Sequence, residues 1–292
     1  MATVTRPIER AVPAERARNR IKPQVVFTYL ALAVVVLIVL FPLYWMFTIS
    51  LKTPRDIYRE ASLWPRTITG DNFAALLGKR NFLINVRNSL IVSLLSSLVS
   101  VFISSLAAYS LTRLKYRGRG IVSRLILLAY LTPGSLLFIP LSVIVAQLQL
   151  GNSLHGLIIL YLTFACPLST WLLMGYFKGV PADLEEQAMV DGTTRMGALF
   201  RILLPVSAPG LAAVSIFTFT GAWNELLFAL IFITSPDLRT VPLGLQYLIT
   251  GDVFLWGQIM AGAVIAAVPV MVLYFVANRF MVQGLAAGAV KG

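Results

Sequence analysis

Long apolar segments alternate with short polar ones along this chain. A helix that crosses a bilayer needs about twenty mostly apolar residues, and six segments meet this requirement. Their bounds are about Val25–Ser50, Leu83–Leu111, Ile121–Ala146, Leu154–Tyr176, Ala208–Thr234 and Gln258–Val282. The pattern therefore predicts an all-α membrane protein with six transmembrane helices.

Two features modify this picture. The third segment contains Pro133-Gly134 and Pro140, which we expect to kink or interrupt its helix because proline lacks an amide hydrogen. Between the first two segments, residues 51–82 have a mixed polar pattern with several prolines and glycines. We expect a short structured cap there, too small to be a separate domain.

The composition agrees with a membrane protein and changes the interpretation of the charge. Hydrophobic residues make up 58% of the chain and charged residues only 12%, whereas about a quarter of the residues of soluble domains are charged. The formal net charge is +12, but the basic residues lie beside apolar segments, where they set membrane orientation. This distribution disfavours a nucleic-acid-binding surface.

The basic residues also predict that both termini lie in the cytoplasm. With the N-terminus inside, sixteen Lys and Arg residues face the cytoplasm and eight face outward. Residues 1–24 then form a basic cytoplasmic tail, which we expect to be disordered, and residues 25–292 form the membrane domain. The first apolar segment is too long for a signal-peptide core, so we expect it to be retained.

A polar stretch from about Lys178 to Ser207 separates the fourth and fifth apolar segments. It contains four of the twelve acidic residues of the chain, namely Asp183, Glu185, Glu186 and Asp191. Such a stretch cannot lie in hydrocarbon, and the predicted orientation places it in the cytoplasm. Because acids slightly outnumber bases, the pattern favours a docking element over a helix lying on lipid headgroups.

The spacing within this stretch resembles the EAA loop of the permease subunits of binding-protein-dependent ABC importers. That pattern is Glu-Ala-Ala, three residues, Gly, nine residues, Ile, any residue and Leu-Pro. The departure is Gln187, and the matching residues are Glu186, Ala188, Gly192, Ile202, Leu204 and Pro205. The resemblance implies a type I importer permease of a prokaryotic cell membrane, whose loop, Asp191 included, couples to a cytoplasmic ATPase.

Further similarities narrow the family. Residues 284–292, the triplet Trp223-Asn224-Glu225 and the triplet Asn88-Ser89-Leu90 resemble those of maltose-type carbohydrate-uptake permeases. The resemblance implies a sugar substrate and three kinds of partner. These are two copies of an ABC ATPase, a second homologous permease subunit in a heterodimer, and an extracytoplasmic solute-binding protein. One sequence leaves a homodimer open.

The loop itself is predicted to be a helical hairpin. Asp183 has the position of an N-cap with Glu186 at capping-box spacing, Gly192 permits a tight turn, and the second helix closes near Leu204-Pro205. We expect one apolar side and one charged side. The apolar stripe would be Met189, Thr193, Met196 and Phe200, and the charged side Glu185, Asp191, Arg195 and Arg201.

The clearest carboxylate within a predicted span is that of Glu225, which follows Trp223 and Asn224. Ionisable residues inside a membrane face a bundle interior or a water-filled cavity. One interpretation places the triplet on the translocation path or its outer gate, where polar groups and an aromatic wall suit a sugar. The other makes Glu225 and Asn224 structural. For the serines of the second span, helix packing is the favoured interpretation.

The sequence contains no motif for catalysis. It has no G-x-x-x-x-G-K-[ST] loop, so we expect ATP and magnesium on the partner ATPase and no cofactor in this chain. With one histidine and one cysteine, neither a metal site nor a catalytic triad is expected. We therefore predict a non-catalytic transport subunit. The alternative is an ion-coupled secondary transporter with Glu225 as its proton or sodium site.

The predicted orientation can be tested by thiol labelling in intact cells. In a Cys166→Ser background, a cysteine at Gly118 or Thr194 should resist a membrane-impermeant thiol reagent, because both positions lie inside. A cysteine at Gly70 should react, and it controls for labelling. Reaction of the cysteine at position 194 from outside would overturn the orientation and, with it, the docking role of the loop.

Overall fold

The computed structural model describes the backbone of residues 23–59 and 62–289 and the side chains of residues 24–59 and 62–278. Apart from its last two residues, the predicted basic tail lies outside the described residues, as do the last three residues of the chain. The α-helices are α1 (Pro23–Ser50), α2 (Pro54–Arg59), α3 (Asp71–Ala74), α4 (Phe82–Arg113), α5 (Arg119–Leu131), α6 (Phe138–Gln147), α7 (Leu154–Gly179), α8 (Asp183–Val190), α9 (Arg195–Ala198), α10 (Leu204–Val206), α11 (Ala208–Trp223), α12 (Leu227–Phe232), α13 (Val241–Gln246) and α14 (Trp256–Ala289). An antiparallel hairpin pairs β1 (Ile249–Thr250) with β2 (Val253–Phe254).

Four predicted spans are continuous helices in the structure. The helices α1, α4, α7 and α14 are each long and apolar enough to cross a membrane. They correspond to the first, second, fourth and sixth apolar segments of the sequence. Two further pairs of helices are sharply bent, namely α5 with Gly134–Gln147, and Arg195–Val206 with α11, and the total reaches six spans if each bent pair is counted as one.

The third predicted span is broken where the sequence places its break. The helix α5 meets the helical segment that begins at Gly134 at an angle of 96°. Thr132 has an extended ψ of 122°, because the following Pro133 disfavours the helical conformation. Pro140, by contrast, causes no interruption. It lies in the first turn of α6, where proline is tolerated.

The fifth predicted span, Ala208–Thr234, is interrupted in its second half. The helix α11 ends at Trp223, and the separate short helix α12 follows after a break of three residues. With 16 residues, α11 is about 24 Å long, which is less than the roughly 30 Å of a hydrocarbon core. The helix α11 alone is therefore shorter than a full crossing.

The chain divides into two units. The first ends at Trp45 and includes most of α1, and the second begins at Met46. Within the second unit α4 is the central helix. It packs against α7 and α11, and α11 also packs against α14. Three clusters of buried apolar side chains occupy these contacts.

Buried serines join the three central helices of the second unit. Ser97 Oγ donates to the Ser215 carbonyl at 3.1 Å and lies 2.8 Å from Thr218 Oγ1, which links α4 to α11. Ser100 Oγ lies 3.0 Å from Ser169 Oγ, which links α4 to α7. Small side chains allow close approach, and their hydroxyl groups find partners across the helix contact. The predicted packing role of these serines is confirmed.

Different parts of the chain lie at the two ends of α4. Near its N-terminal end, Asn88 Nδ2 donates to the carbonyls of Asp237 at 2.8 Å and Arg239 at 3.0 Å. The short helices α2 and α3 lie between α1 and α4 in the chain, and both contact α14. The structured cap predicted for residues 51–82 is thus confirmed. The polar stretch that follows α7 lies at the opposite, C-terminal end of α4.

Gly210 marks a close approach of α11 to α7. A Cβ built on Gly210 lies 2.4 Å from Cγ of Tyr176, an atom too near the backbone of α7 to move aside freely. We predict that Gly210→Ala lowers the free energy of unfolding by about 1–3 kcal/mol through overpacking. Thermal unfolding of the purified protein measures this loss.

The matched control is Gly221→Ala in the same helix. Nothing lies within 4 Å of a Cβ built on Gly221, so its substitution should be neutral or stabilising, as alanine is the better helix former. Equal melting temperatures for the two variants would contradict the close contact. Adding Tyr176→Ala to Gly210→Ala should remove the clash.

Candidate functional site

The polar stretch folds as a helical hairpin. Its first arm is α8, and its second arm runs from Arg195 to Val206 through α9, a π-helical turn at Leu199–Leu203, and α10. The wider π-helical turn accommodates Pro205, whose ring does not fit a regular α-helical turn. The arm ends at Val206, so the predicted end near Leu204-Pro205 is confirmed, but Leu204 keeps a helical conformation and is not the residue at which proline closes the helix.

The turn between the arms depends on Gly192, as predicted. Gly192 has a φ of +90°, a conformation that residues with a Cβ rarely adopt. The amide of Gly192 donates to the Met189 carbonyl at 3.1 Å, and the amide of Thr193 donates to the Ala188 carbonyl at 2.9 Å. These two bonds form a Schellman motif, which ends α8 and satisfies two of its last carbonyls.

The predicted N-cap of the hairpin is wrong. Ala182 precedes the first helical residue, Asp183, and no side chain caps α8. The capping side chain belongs to the second arm instead, where Thr194 Oγ1 accepts a bond from the Gly197 amide at 3.1 Å. A threonine directly before a helix was the signal available in the sequence. The acids in the first turn of α8 still interact favourably with the positive end of its dipole.

The exposed apolar surface of the hairpin differs from the predicted stripe. Met196 and Phe200 are exposed, at 50% and 43%, whereas Met189 and Thr193 are half-buried. The most exposed apolar residue is Val190 at 87%, which the prediction missed. A continuous helical period does not run through the turn at Gly192, so the two arms have to be treated as separate helices.

Glu185 was predicted to lie on the charged outer side of the hairpin, and this prediction is wrong. Its carboxylate is buried, and Oε1 accepts a bond from Arg113 Nε, the last residue of α4, at 2.6 Å. The same guanidinium donates through Nη2 to the Val180 carbonyl at 2.8 Å. Removing one partner of such a buried pair costs about 3–5 kcal/mol, because it leaves an uncompensated charge.

Apolar packing also holds the second arm of the hairpin. Leu199 and Leu203 are completely buried, in a cluster with Phe177 of α7 and Val214 of α11. Tyr109, one turn before Arg113 in α4, donates its hydroxyl to the Arg195 carbonyl at 3.2 Å. The base of the hairpin is therefore fixed, and its tip at Val190 is not covered by the described part of the chain.

The residues of the recognised pattern occupy several environments. Ala188, Ile202 and Leu204 are half-buried. Glu186, Asp191, Gly192 and Pro205 are exposed. The carboxylate of Glu186 has no hydrogen-bond or ion-pair partner among the described residues. The hairpin thus offers an unpaired carboxylate together with exposed apolar side chains.

A cavity of about 420 Å³ lies where the two interrupted spans meet α7. Its lining includes residues from α5, α7, α11 and α12, and from the break after Leu131. Glu225 is the charged residue among them, and the polar and aromatic groups include Thr132, Ser135, Tyr161, Phe164 and Phe228. An apolar wall with a few polar groups is typical of a small-molecule site.

Glu225 occupies the break between α11 and α12. Its Oε1 accepts from the Phe228 amide at 2.9 Å, and its Oε2 accepts from the Ala229 amide at 3.2 Å. Tyr161 of α7 donates its hydroxyl to Oε2 at 2.8 Å. The carboxylate therefore holds the start of α12 and ties it to α7, as the structural interpretation requires, while it also lines the cavity.

The rest of the triplet does not share this position. Trp223 is buried in another apolar cluster, where its ring stacks on Phe219 at a centroid distance of 5.6 Å. Asn224 is exposed, and its Nδ2 donates to the Thr220 carbonyl at 3.0 Å. Of the three predicted residues, the structure brings only Glu225 to the cavity, together with Tyr161, which the prediction missed.

Comparison with protein families identifies the chain. Residues 100–283 match the family described as "Binding-protein-dependent transport system inner membrane component". The matched region includes the hairpin, the cavity and most of the second unit.

Individual relatives align over nearly the whole chain. An inner membrane ABC transporter permease protein of Escherichia coli, YcjP, is 36% identical over 90% of this chain and 95% of its own. The trehalose/maltose transport system permease MalG of Thermococcus litoralis is 35% identical, covering 88% and 93%. The diacetylchitobiose uptake system permease DasC of Streptomyces coelicolor is 37% identical, covering 86% and 92%.

The fold also has a solved counterpart. A bacterial ABC transporter that imports the acidic polysaccharide alginate superposes with a TM-score of 0.74, over 87% of this chain and 95% of the other, at 19% identity. At this identity the likeness concerns the fold alone. The family match and the relatives agree with it: this chain belongs to the inner-membrane components of binding-protein-dependent transport systems, the multi-pass permease subunits of ABC importers.

Proposed function

We propose that this chain is the permease subunit of an ATP-driven, binding-protein-dependent sugar importer, and that the α8 hairpin docks on the ATPase. The hairpin is the observation that carries the docking role. It combines a fixed base with a tip where Val190 is 87% exposed and the Glu186 carboxylate is exposed. Exposed apolar groups rimmed by polar ones mark a surface for a protein partner.

The sugar substrate is supported by the relatives. MalG is named for trehalose and maltose transport, and DasC is named for diacetylchitobiose uptake. A further relative is named for sulfoquinovosyl glycerol transport. The cavity next to Glu225 suits such cargo, because hydroxyl groups can bond to its polar side chains while ring faces pack on Phe164 and Phe228.

The assembly follows from the proposed role. The family transports with the help of a binding protein, and its relatives include ABC transporter permeases, a class that works with an ATPase. We propose two ATPase copies that hold ATP and magnesium, a second homologous permease in a heterodimer, and no catalytic group or cofactor in this chain. Both termini and the hairpin lie in the cytoplasm in this arrangement. The binding protein then meets the opposite end, formed by residues 51–82 and the loops around α13.

The ion-coupled alternative finds no support. The family to which the chain belongs transports with the help of binding proteins. The carboxylate of Glu225 is also already engaged by two backbone amides and one hydroxyl, so protonation would remove bonds that hold α12. We assign Glu225 to the wall of the translocation path, and Trp223 and Asn224 to the support of that wall.

The docking role predicts a specific effect of backbone strain at the turn. Gly192→Val should abolish most ATP-driven uptake, because a β-branched residue at a φ of +90° costs about 1–3 kcal/mol and shifts the two arms. The measurement is trehalose or maltose uptake by the complex reconstituted with its ATPase, next to the amount of ATPase that copurifies.

The matched control for this prediction is Gly192→Asn. Asparagine tolerates the left-handed conformation, and nothing lies within 4 Å of a Cβ built on Gly192, so the two variants differ in strain and not in clashes. The asparagine variant should retain most of the uptake. Equal uptake by the valine variant and the parent protein would rule out the turn as part of the docking element.

The cavity wall gives a second pair of variants. Glu225→Gln introduces an amide nitrogen that cannot accept from backbone amides, so it should lower the melting temperature through a loss of about 1–3 kcal/mol. Tyr161→Phe leaves both backbone bonds of Glu225 in place and frees one lone pair toward the cavity.

For Tyr161→Phe we expect an apparent KM for sugar uptake that changes about tenfold, as a lost or gained polar contact is worth about 1.4 kcal/mol. Its stability should change less than that of Glu225→Gln. An unchanged KM in both variants would exclude this wall from the path, whatever their stability.

A further inference from the structure

We infer that Arg113 and Glu185 set the register of the hairpin on α4, so that α4 receives the movement of the docked hairpin. Arg113 is in this view a positioning residue for coupling. The inference rests on the proposed docking function and adds the route by which the hairpin acts on the membrane helices.

The contacts at the end of α4 reach both arms of the hairpin. Arg113 and Tyr109 are four residues apart and therefore lie on the same face of the helix. Arg113 Nε binds Glu185 of the first arm at 2.6 Å, and Tyr109 Oη binds the carbonyl of Arg195 in the second arm at 3.2 Å. A displacement of either arm is thus met by a directional bond to α4.

The guanidinium of Arg113 also fixes the point where the hairpin begins. Its Nη2 donates to the carbonyl of Val180, the residue that directly follows α7. Because the N–H groups of a guanidinium are planar and rigidly spaced, one side chain holds Glu185 and Val180 at a set angle. A lysine keeps the charge but has no such fork.

Apolar packing alone would hold the hairpin less specifically. The cluster around Leu199 and Leu203 is non-directional, as is all hydrophobic contact. The ion pair, by contrast, is nearly dry, with side-chain exposures of 14% for Arg113 and 5% for Glu185. Sliding of α8 along α4 would separate two buried charges, so the pair opposes the motion that packing tolerates.

From this point α4 can pass movement to its neighbours. Its serines contact Ser215 and Thr218 of α11 and Ser169 of α7 over the middle of the bundle. Both α7 and α11 line the cavity that contains Glu225. A hairpin registered on α4 is therefore connected to the proposed path by directional contacts, whereas a hairpin held only by packing could slip.

The test measures sugar molecules transported per ATP hydrolysed in the reconstituted complex with its ATPase and binding protein, with maltose and trehalose as probes. Arg113→Lys should lower this ratio at least threefold while ATP hydrolysis continues. Arg117→Lys is the matched control, because Arg117 is exposed and has no partner among the described residues. Its ratio should equal that of the parent protein.

A second variant separates positioning from mere stabilisation. Arg113→Met combined with Glu185→Leu replaces the buried pair by apolar groups of similar volume, which is often neutral or stabilising for a fold. We expect its melting temperature to exceed that of Glu185→Leu alone, while the transport ratio stays low. Recovery of the ratio together with the melting temperature would overturn the inference and leave the pair a structural contact.

The remaining outcomes are also decisive. A ratio in Arg113→Lys equal to that of Arg117→Lys, with uptake and hydrolysis reduced together or not at all, overturns the inference. Failure of the proposed function would look different, because the parent complex itself would then show no ATP-dependent uptake of either sugar.

Discussion

Lipid offers no partner to a backbone amide or carbonyl, and the organisation of this chain depends on how it meets that constraint. Regular helices satisfy their own backbone, but the predicted third and fifth spans are interrupted, and each interruption frees backbone polar groups. At the break before α12, the Glu225 carboxylate accepts from two amides. At the end of α5, Thr132 Oγ1 donates to the Leu128 carbonyl at 2.9 Å.

Each interruption costs backbone hydrogen bonds, and both interruptions lie at the cavity that we propose as part of the translocation path. The two broken spans meet α7 at the cavity of about 420 Å³, so the groups that repair the backbone also give the cavity its polarity. Irregular backbone at membrane depth is tolerated where it lines a cavity. The chain uses one carboxylate, that of Glu225, for both tasks, and its partner Tyr161 belongs to an unbroken helix.

Features with a local cause were predictable from the sequence. The apolar segments, the break at Pro133 and the turn at Gly192 depend on hydrophobic length, on proline sterics and on the freedom of glycine at positive φ. The matching residues of the EAA-like pattern were sufficient for the family, which the comparisons confirm.

Features that depend on distant partners were not predictable. Glu185 looks like a surface residue of a short polar helix, and only the fold brings it to Arg113, 72 residues earlier in the chain. The end of α11 was missed for a similar reason, because the sequence from Trp223 to Phe232 is apolar apart from Asn224 and Glu225. The Glu225 carboxylate accepts bonds from the backbone amides of Phe228 and Ala229 there, and these bonds compete with continuation of the helix.

We propose that ATP hydrolysis on a partner drives sugar through this subunit. The most direct measurement is uptake of labelled maltose or trehalose into proteoliposomes that contain the complete complex, with the binding protein outside and ATP inside. We expect uptake that requires both ATP and the binding protein and is unaffected by an ionophore. Uptake driven by an imposed proton or sodium gradient without ATP would contradict it.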